Sequence, residues 1–472
     1  MSKLTSTALV SEWDVNLTDT RSTAETSRPL TQRPSDWQRY ERVLFRFFFI
    51  YFVLQVVPLD WHFYRDLITI DWGQYYYRDL FNLSHYAPHF FGPEDTFANW
   101  AVVALIALAG AVIWTLRDQK RTEYNELYYW LRVIVRYRLA IGVLAYGFIK
   151  LFPMQAPLPS ISNLNTAYGD FTAWKLFAMS LGVVPSYESF LGLVEIIGGL
   201  LLLNRKTATI GTLIIIPFTG NVFVSNLAYE GGEYVYSFYL ITLALFLFAF
   251  DAIRLIHLLS LEVPAVPNRF KPVFVGVWKT ARLALKSLFI FLVVGLYGYK
   301  TYAAYHTAPY QYPTTPGLAG AAGVYNVREF KLAEKVLPYS KTDSKRWQNV
   351  VFETWNTISI KSNRPVVLDK TNTEQIHAQD ADRAYEYSGS AGRQYYRYQI
   401  DPARQVLTLT NRNPHYKGET LQLHFERPTP NEIVLSGLNE SQDSIYVVLD
   451  KLNKTYLLNE AAKAGRRGTL KL

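Results

Sequence analysis

The chain has 472 residues, a formal net charge of +9, 50% hydrophobic and 15% aromatic content, and no cysteine. A mean hydropathy near zero averages a very apolar part with a polar one, so two bodies are expected. The lack of cysteine excludes disulfides, thiolate metal sites, cysteine-ligated iron–sulfur clusters and thiol redox chemistry on this chain, so any redox role needs a borrowed cofactor.

Residues 1–37 are rich in Ser, Thr and charges, with no apolar core bounded by a cleavage site, and are expected to form a disordered cytoplasmic tail. Apolar runs follow at 40–57, 98–116, 127–151, 186–203, 207–227, 235–255 and 281–298. Each is near the ~20 residues that cross a bilayer core, which makes about seven spans. Basic residues flank them in alternation: Arg28, Arg33, Arg39 and Arg42 before the first, Arg117, Lys120, Arg121 and Arg132 between the second and third, Arg205 and Lys206 between the fourth and fifth, and Arg254, Arg269, Lys271, Lys279 and Arg282 before the last. By the positive-inside rule those sides are cytoplasmic, and the positive charge reads as membrane orientation rather than nucleic-acid binding. The acidic connections, with Asp60, Asp66, Asp71, Asp79, Glu94 and Asp95, then Asp170, then Glu230 and Glu233, face outward. The chain after 298 emerges on that side, which in a bacterium is the periplasm.

The outer loop 58–97 holds Trp61, Tyr64, Trp72, Tyr75, Tyr76, Tyr77, Tyr86, Phe90 and Phe91, the composition of an interfacial aromatic belt. His62, His85 and His89 share the loop without the tight spacing of a metal site, so no metal is predicted. In the fourth span Glu188, Gly192, Glu195 and Gly199 recur at helical spacing on one stripe. Small residues there admit a second helix, and a carboxylate at mid-depth is a functional-site hypothesis by default. The third span carries Tyr146 and Lys150 one turn apart, and the fifth carries Asn221 and Asn226. If these stripes face each other, Tyr146, Lys150, Glu195, Asn221 and Asn226 line a polar cavity open toward the outer leaflet, suited to a quinone or phenolic headgroup or to passing a proton. The competing reading, of equal weight, is a clasp that only fixes helix packing. Lys150 is expected about two turns nearer the outer surface than Glu195, so a direct pair would need a tilted helix or a bridging water.

After Tyr310 the pattern changes to short period-2 segments at 323–330, 347–352, 357–360, 395–401, 405–410, 420–425, 432–435, 444–449 and 455–458. These predict an antiparallel meander. About eight strands suffice to close a small, lipocalin-like up-and-down barrel, with an open sandwich as the second choice. A filled, structural barrel is weighted at least equally with one that holds a ligand. No nucleophile-and-base motif is legible there. Arg383, Tyr385, Tyr387, Tyr395, Tyr396 and Tyr398 form a basic-aromatic group that could meet a glycan, a headgroup or a partner, with simple packing favoured.

The chain resembles the DoxX family of bacterial membrane proteins in YGFIKLFPMQAP from Tyr146, LVEIIGGLLLLNRKTATIG from Leu193, NVFVSNLAYE from Asn221 and LFAFDAIRL ending at Leu255. The match covers 127–257 and implies a four-helix membrane core. The whole is similar to a subset of DoxX-like proteins with extra N-terminal helices and a strand-rich C-terminal domain opening in a G-x-Y-x-V-x-E/D-F strand, here Gly323 to Phe330. Relatives of that kind end in a further aromatic segment, whereas this chain ends NEAAKAGRRGTLKL, which puts closure of the barrel in question. The division expected is 1–37 tail, 38–126 N-terminal membrane helices with the aromatic loop, 127–260 DoxX-like core, 261–312 cytoplasmic linker and last membrane helix, and 313–472 outer β domain with a C-terminal tail. The fold class is thus an α-helical polytopic membrane protein with a C-terminal all-β domain. Some DoxX-type proteins are subunits of thiosulfate:quinone oxidoreductases, so the resemblance implies a quinone-facing bundle, with quinone the one candidate cofactor. Histidines suited to haem ligation are missing from the core, since His257 lies at a helix end, and an autonomous haem oxidase is not expected. The expectation is a non-catalytic protein of the bacterial inner membrane that binds a lipid or quinone-like molecule in the bundle and a ligand or partner through the outer domain. Its partners would be membrane lipids and an envelope or oxidoreductase protein, not nucleic acid. The alternative is a quinone-linked oxidoreductase or its accessory subunit. Small-solute transport is disfavoured because the spans do not divide into matching halves with interrupted helices.

Overall fold

The structure is a computed structural model that describes residues 37–464 apart from 74, 93–94, 265–269, 271, 308–310, 371–375, 378 and 440. The expected tail 1–36 and the last residues from 465 lie outside the described residues, as do Glu94, Arg269 and Lys271 of the charge pattern.

The membrane part begins with α1 (Arg39–Val56), followed in the aromatic loop by α2 (Trp61–Thr69) and α3 (Tyr77–Ser84), then α4 (Phe97–Arg117) and α5 (Asn125–Leu151). The next connection carries α6 (Ile161–Leu164) and α7 (Ala173–Gly182), leading to α8 (Pro185–Leu202), α9 (Ala208–Ala228) and α10 (Tyr234–Leu259). Finally α11 (Val277–Ile290) runs through a π-helical stretch, Phe291–Leu296, into α12 (Tyr297–Thr307). Six helical stretches are long and apolar enough to cross a membrane: Arg39–Thr69, Phe97–Arg117, Pro185–Leu202, Ala208–Ala228, Tyr234–Leu259 and Val277–Thr307. The protein is a polytopic membrane protein.

The remaining span expected, 127–151, is α5, whose 27 residues make a rod of about 40 Å. It carries Glu126, Arg132, Arg136, Arg138 and Lys150, too many charges for a lipid-facing helix. It is instead the central rod, packed against α1, α8, α10 and α12, with Arg138 and Lys150 buried. Its closest partner is α8, and glycine makes the contact possible. A Cβ on Gly192 would lie 2.2 Å from Leu151 N and 2.5 Å from Gly147 O, so the two backbones touch where a hydrogen alone fits. Pro185 opens α8 in its first turn, where the missing N–H leaves no bond unmade. In the aromatic loop Trp61 and Trp72 stay more than half exposed, as an interfacial belt requires, while Tyr77 and Phe81 of α3 turn inward and are buried.

The C-terminal body is a closed antiparallel barrel of β1 (Gly323–Leu332), β3 (Asn349–Phe352), β4 (Thr357–Lys361), β5 (Gln394–Asp401), β6 (Val406–Asn411), β7 (Thr420–Thr429), β8 (Glu432–Leu438) and β9 (Ser444–Lys451), with the two-residue β2 (Lys335–Val336) folded back on β1. Closure comes from β1, which pairs with β3 at its start and with β9 along its length, Val327 opposite Leu449 and Leu332 opposite Ile445. This settles closure against the open sandwich. The inward positions of alternate residues, among them Tyr325, Phe330, Phe352, Leu407, Leu423, Leu435 and Val447, fill the interior as one apolar core. The strand expected at 455–458 does not form: the chain there enters helix α13 (Leu457–Ala464). With β9 already bonded to β8 on one side and β1 on the other, no free edge remains to receive a ninth segment. Arg383, Tyr385, Tyr387, Tyr395, Tyr396 and Tyr398 are all buried, so they pack rather than present a surface.

The barrel is seated on one end of the bundle by buried polar contacts. Ile161 N and Ser162 N, in the connection after α5, donate to the Glu353 carboxylate at 3.2 and 2.7 Å, and Ser162 Oγ adds a bond of 2.6 Å. Beside them Phe171 and Ser390 form an antiparallel bridge, with Thr172 N donating to Gly389 O at 2.9 Å.

Candidate functional site

The residues singled out in the third, fourth and fifth spans converge at the barrel end of the bundle. Lys150 Nζ lies 2.6 Å from Glu195 Oε1, with side chains only 11% and 8% exposed. The pair is direct, contrary to the expected two-turn offset. Because α5 and α8 touch at Gly147 and Gly192, Glu195 Cβ sits beside Gly147, one turn below Lys150, and the extended lysine spans the difference. The second carboxylate oxygen, Glu195 Oε2, is buried and has no hydrogen-bond partner.

Two adjoining cavities meet at this pair. The inner one, about 40 Å³, is lined by Tyr146, Lys150, Gln155, Glu195, Asn226 and Glu233 among others. The outer one, about 170 Å³, is lined by Lys150, Gln155, Trp174, Phe177, Glu188, Phe218, Asn221 and Asn226, with Tyr385 of the C-terminal body contributing to its wall. Lys150, Gln155, Val222 and Asn226 belong to both. All five residues named from the sequence therefore reach one of the two cavities. Asn226 Nδ2 donates to Val222 O at 3.0 Å, and Asn221 sits on an exposed flank of α9. Glu188 accepts from Ala156 N at 3.1 Å, which ties the chain after α5 to the cavity wall.

A polar chain runs from the inner cavity toward the surface. Tyr146 OH donates to Glu233 Oε2 at 3.1 Å, and His85 Nε2 meets the same oxygen at 3.0 Å. His85 Nδ1 is 3.9 Å from Asp95, which pairs with His89 Nε2 at 2.9 Å. His85 stacks on Tyr236 with ring centres 3.8 Å apart. Burial opposes a charge on His85, but the bonded Glu233 carboxylate and Asp95 outweigh it and hold the imidazole pKa above its usual value. His85 and His89 also line a surface pocket of about 630 Å³ within the aromatic loop. Tyr146, Glu233, His85, Asp95 and His89 thus form a run of polar groups between the wall of the inner cavity and that pocket.

Several of these residues carried no functional expectation. Glu233 read as a loop acid and His85 as a loop histidine, and nothing local signals that they meet across 148 residues of sequence. Trp174 and Phe177 had a usable signal: with Ala178 and Leu181 they recur at helical spacing in an otherwise loop-like stretch, and α7 uses that face as a cavity wall.

The contact between barrel and bundle contains buried charge. Arg412 pairs with Glu386 at 2.9 Å, Trp355 Nε1 donates to Glu386 at 3.2 Å, and Lys175 Nζ donates to Tyr385 O from 3.7 Å above that ring's centre. Burial, reinforced by the Glu386 carboxylate, pushes Glu353 up to about 7, while burial pulls Lys175 down to about 7. Between 4.5 and about 7 the folded protein keeps a proton on Glu353 that the unfolded chain has released, so stability falls as pH rises. Between about 7 and 10.5 the unfolded chain keeps a proton on Lys175 that the folded protein has released, so stability rises with pH. The docked barrel is expected to be least stable near pH 7. Thermal unfolding from pH 5 to pH 9 checks this: Glu353→Gln should flatten the acid limb, Lys175→Met should flatten the alkaline limb, and a profile unaltered by either would contradict the assignment.

Compared with protein-family descriptions, curated proteins and solved structures, the chain matches none.

Proposed function

We propose that the chain is a DoxX-like protein of the bacterial inner membrane, with its N-terminus cytoplasmic and its barrel periplasmic, that binds the ring headgroup of a quinone-like or phenolic lipid in the cavity beside α5, α7, α8 and α9. The observation that carries this reading is Glu195 Oε2, buried without a hydrogen-bond donor in a residue that lines the inner cavity of about 40 Å³, which adjoins the outer one at Lys150, Gln155, Val222 and Asn226. Such an oxygen retains the full cost of its desolvation, and a hydroxyl donor on a bound ring would relieve it. Lys150, which uses one N–H on Glu195, has others to offer a ring oxygen. Trp174, Phe177 and Phe218 supply apolar ring faces, and a volume of about 170 Å³ fits a single ring, since a cavity of about 150 Å³ holds benzene. A headgroup would be fixed by these groups while its tail leaves past the half-exposed Tyr187 at the rim.

The barrel is filled, so we assign its role to its outer surface, as a seat for a partner, and to the cavity wall it completes with Tyr385. The chain from Tyr146 through Glu233 to His85 supports a second reading, a quinone-linked oxidoreductase or its accessory subunit, in which Glu195 Oε2 takes up a proton and Tyr146 passes one to Glu233. That reading needs a partner as electron donor, because the chain has no cysteine.

Mass spectrometry of small molecules extracted from protein purified gently from its own membrane tests the proposal. About one quinone or phenolic lipid per chain is expected in the wild type, falling at least tenfold in Glu195→Gln. Bulk phospholipid alone in both samples would overturn it.

A further inference from the structure

At the end of the bundle away from the barrel, α5, the turn between α8 and α9, and α10 enclose a cavity of about 520 Å³. Five cations line it: Arg132 and Arg136 one turn apart on α5, Arg205 and Lys206 in the turn, and Arg254 on α10. A single carboxylate, Asp251, faces them. It is already engaged, accepting from Thr209 Oγ1 at 2.6 Å and lying 3.6 Å from Arg254. Among the described residues no acid lies within ion-pair distance of Arg132, Arg136, Arg205 or Lys206.

The arginines are held rather than free. The Arg132 guanidinium lies 3.3 Å from the centre of the Phe250 ring and 5.0 Å from that of Tyr128, so aromatic rings hold it in place. The Nε atoms of Arg132 and Arg136 are buried and have no hydrogen-bond partner. A planar guanidinium fork positioned this way matches two oxygens of a phosphate. Four like charges around one space repel each other unless an anion joins them. The wall also carries Leu247 and Phe250, and the site lies at the end of helices that cross the membrane, where headgroups reside. Basic pockets between membrane helices take anionic headgroups by this chemistry.

We propose that this cavity is a binding site for the phosphate of an anionic phospholipid headgroup, held by Arg132 and Arg136 from one side and by Arg205 and Lys206 from the other. The site lies at the opposite end of the bundle from the ring cavity, and its assignment does not depend on that reading.

The test is native mass spectrometry of the full chain in detergent, titrated with phosphatidylglycerol or phosphatidylcholine, beside thermal unfolding with inorganic phosphate. One phosphatidylglycerol should bind saturably, at least tenfold more tightly than phosphatidylcholine, and the preference should vanish in Arg132→Gln/Arg136→Gln. The double variant Arg117→Gln/Arg121→Gln, which removes equal charge nearby, should keep it. Should the Arg132/Arg136 variant fail to fold, Arg205→Gln/Lys206→Gln in the exposed turn gives the same readout. A rise in unfolding temperature with phosphate, seen in the wild type but not in the variant, would support the phosphate site with the free anion as a source. Equal affinity for the two lipids, or equal loss in the control variant, overturns the proposal.

Discussion

Lys150→Met is expected to destabilise the bundle by about 3–5 kcal/mol, and the double variant Lys150→Met/Glu195→Leu to recover most of that loss. The two side chains form a 2.6 Å pair that is about nine-tenths shielded, where α5 and α8 touch backbone to backbone. Removing the ammonium leaves the Glu195 carboxylate with both oxygens unpaired in a site that cannot open to water without parting the helices. Replacing both partners by apolar groups removes the ionic demand, which is often neutral or stabilising. The fraction of monodisperse protein surviving a temperature ramp in detergent measures the effect. The double variant also separates the two readings of the pair. If stability returns and the ring lipid is lost, Lys150 and Glu195 form a binding site. If stability returns with the lipid retained, the pair is only a clasp. A double variant as unstable as the single one would show that something other than the unpaired charge drives the loss.

Arg412→Met is expected to release the segment of the C-terminal body that carries Tyr385, without unfolding the membrane helices. Arg412 and Glu386 are 3% and 1% exposed, and Arg412 also donates to Thr357 Oγ1 at 3.1 Å and to Arg383 O. Leaving Glu386 buried and unpaired should again cost about 3–5 kcal/mol, concentrated in the contact between barrel and bundle. By the tenfold-per-1.4 kcal/mol rule, the open state of this segment should be populated roughly a hundredfold or more above wild type, and limited proteolysis within 365–392 should accelerate accordingly. Helical circular dichroism should persist. Unchanged cleavage would mean that the Glu353–Ser162 contacts alone hold the barrel in place.

The strands of the barrel were legible because inward residues such as Tyr325, Leu407 and Val447 alternate with outward ones, and the period of two is local. The same local rule failed at 455–458, where Tyr456 and its neighbours alternate well enough but meet a barrel whose last strand has both edges bonded. The apolar runs marked the membrane helices for a similar reason. They could not show that α5, with its arginines, would be the central rod and not one more lipid-facing span, since that depends on which helices surround it.

At the site, a buried carboxylate, a lysine and two asparagines on three apolar helices sufficed to name Glu195, Lys150, Asn221 and Asn226, because charges in such segments are costly and rarely idle. Their depth was misjudged, since a single glycine contact, Gly192 against Gly147, sets the register of α5 on α8. Composition and periodicity thus determined the class, the two bodies, the strands that close the barrel and the residue types that meet at the two cavities. The tertiary structure alone decided the direct Lys150–Glu195 pair, the meeting of His85 with Glu233, the barrel's contribution of Tyr385 to the cavity wall and the gathering of Arg132 and Arg136 with Arg205 and Lys206. Hydropathy and period are properties of one segment, whereas each of these contacts joins segments tens to hundreds of residues apart, and their geometry is set by where backbones can approach.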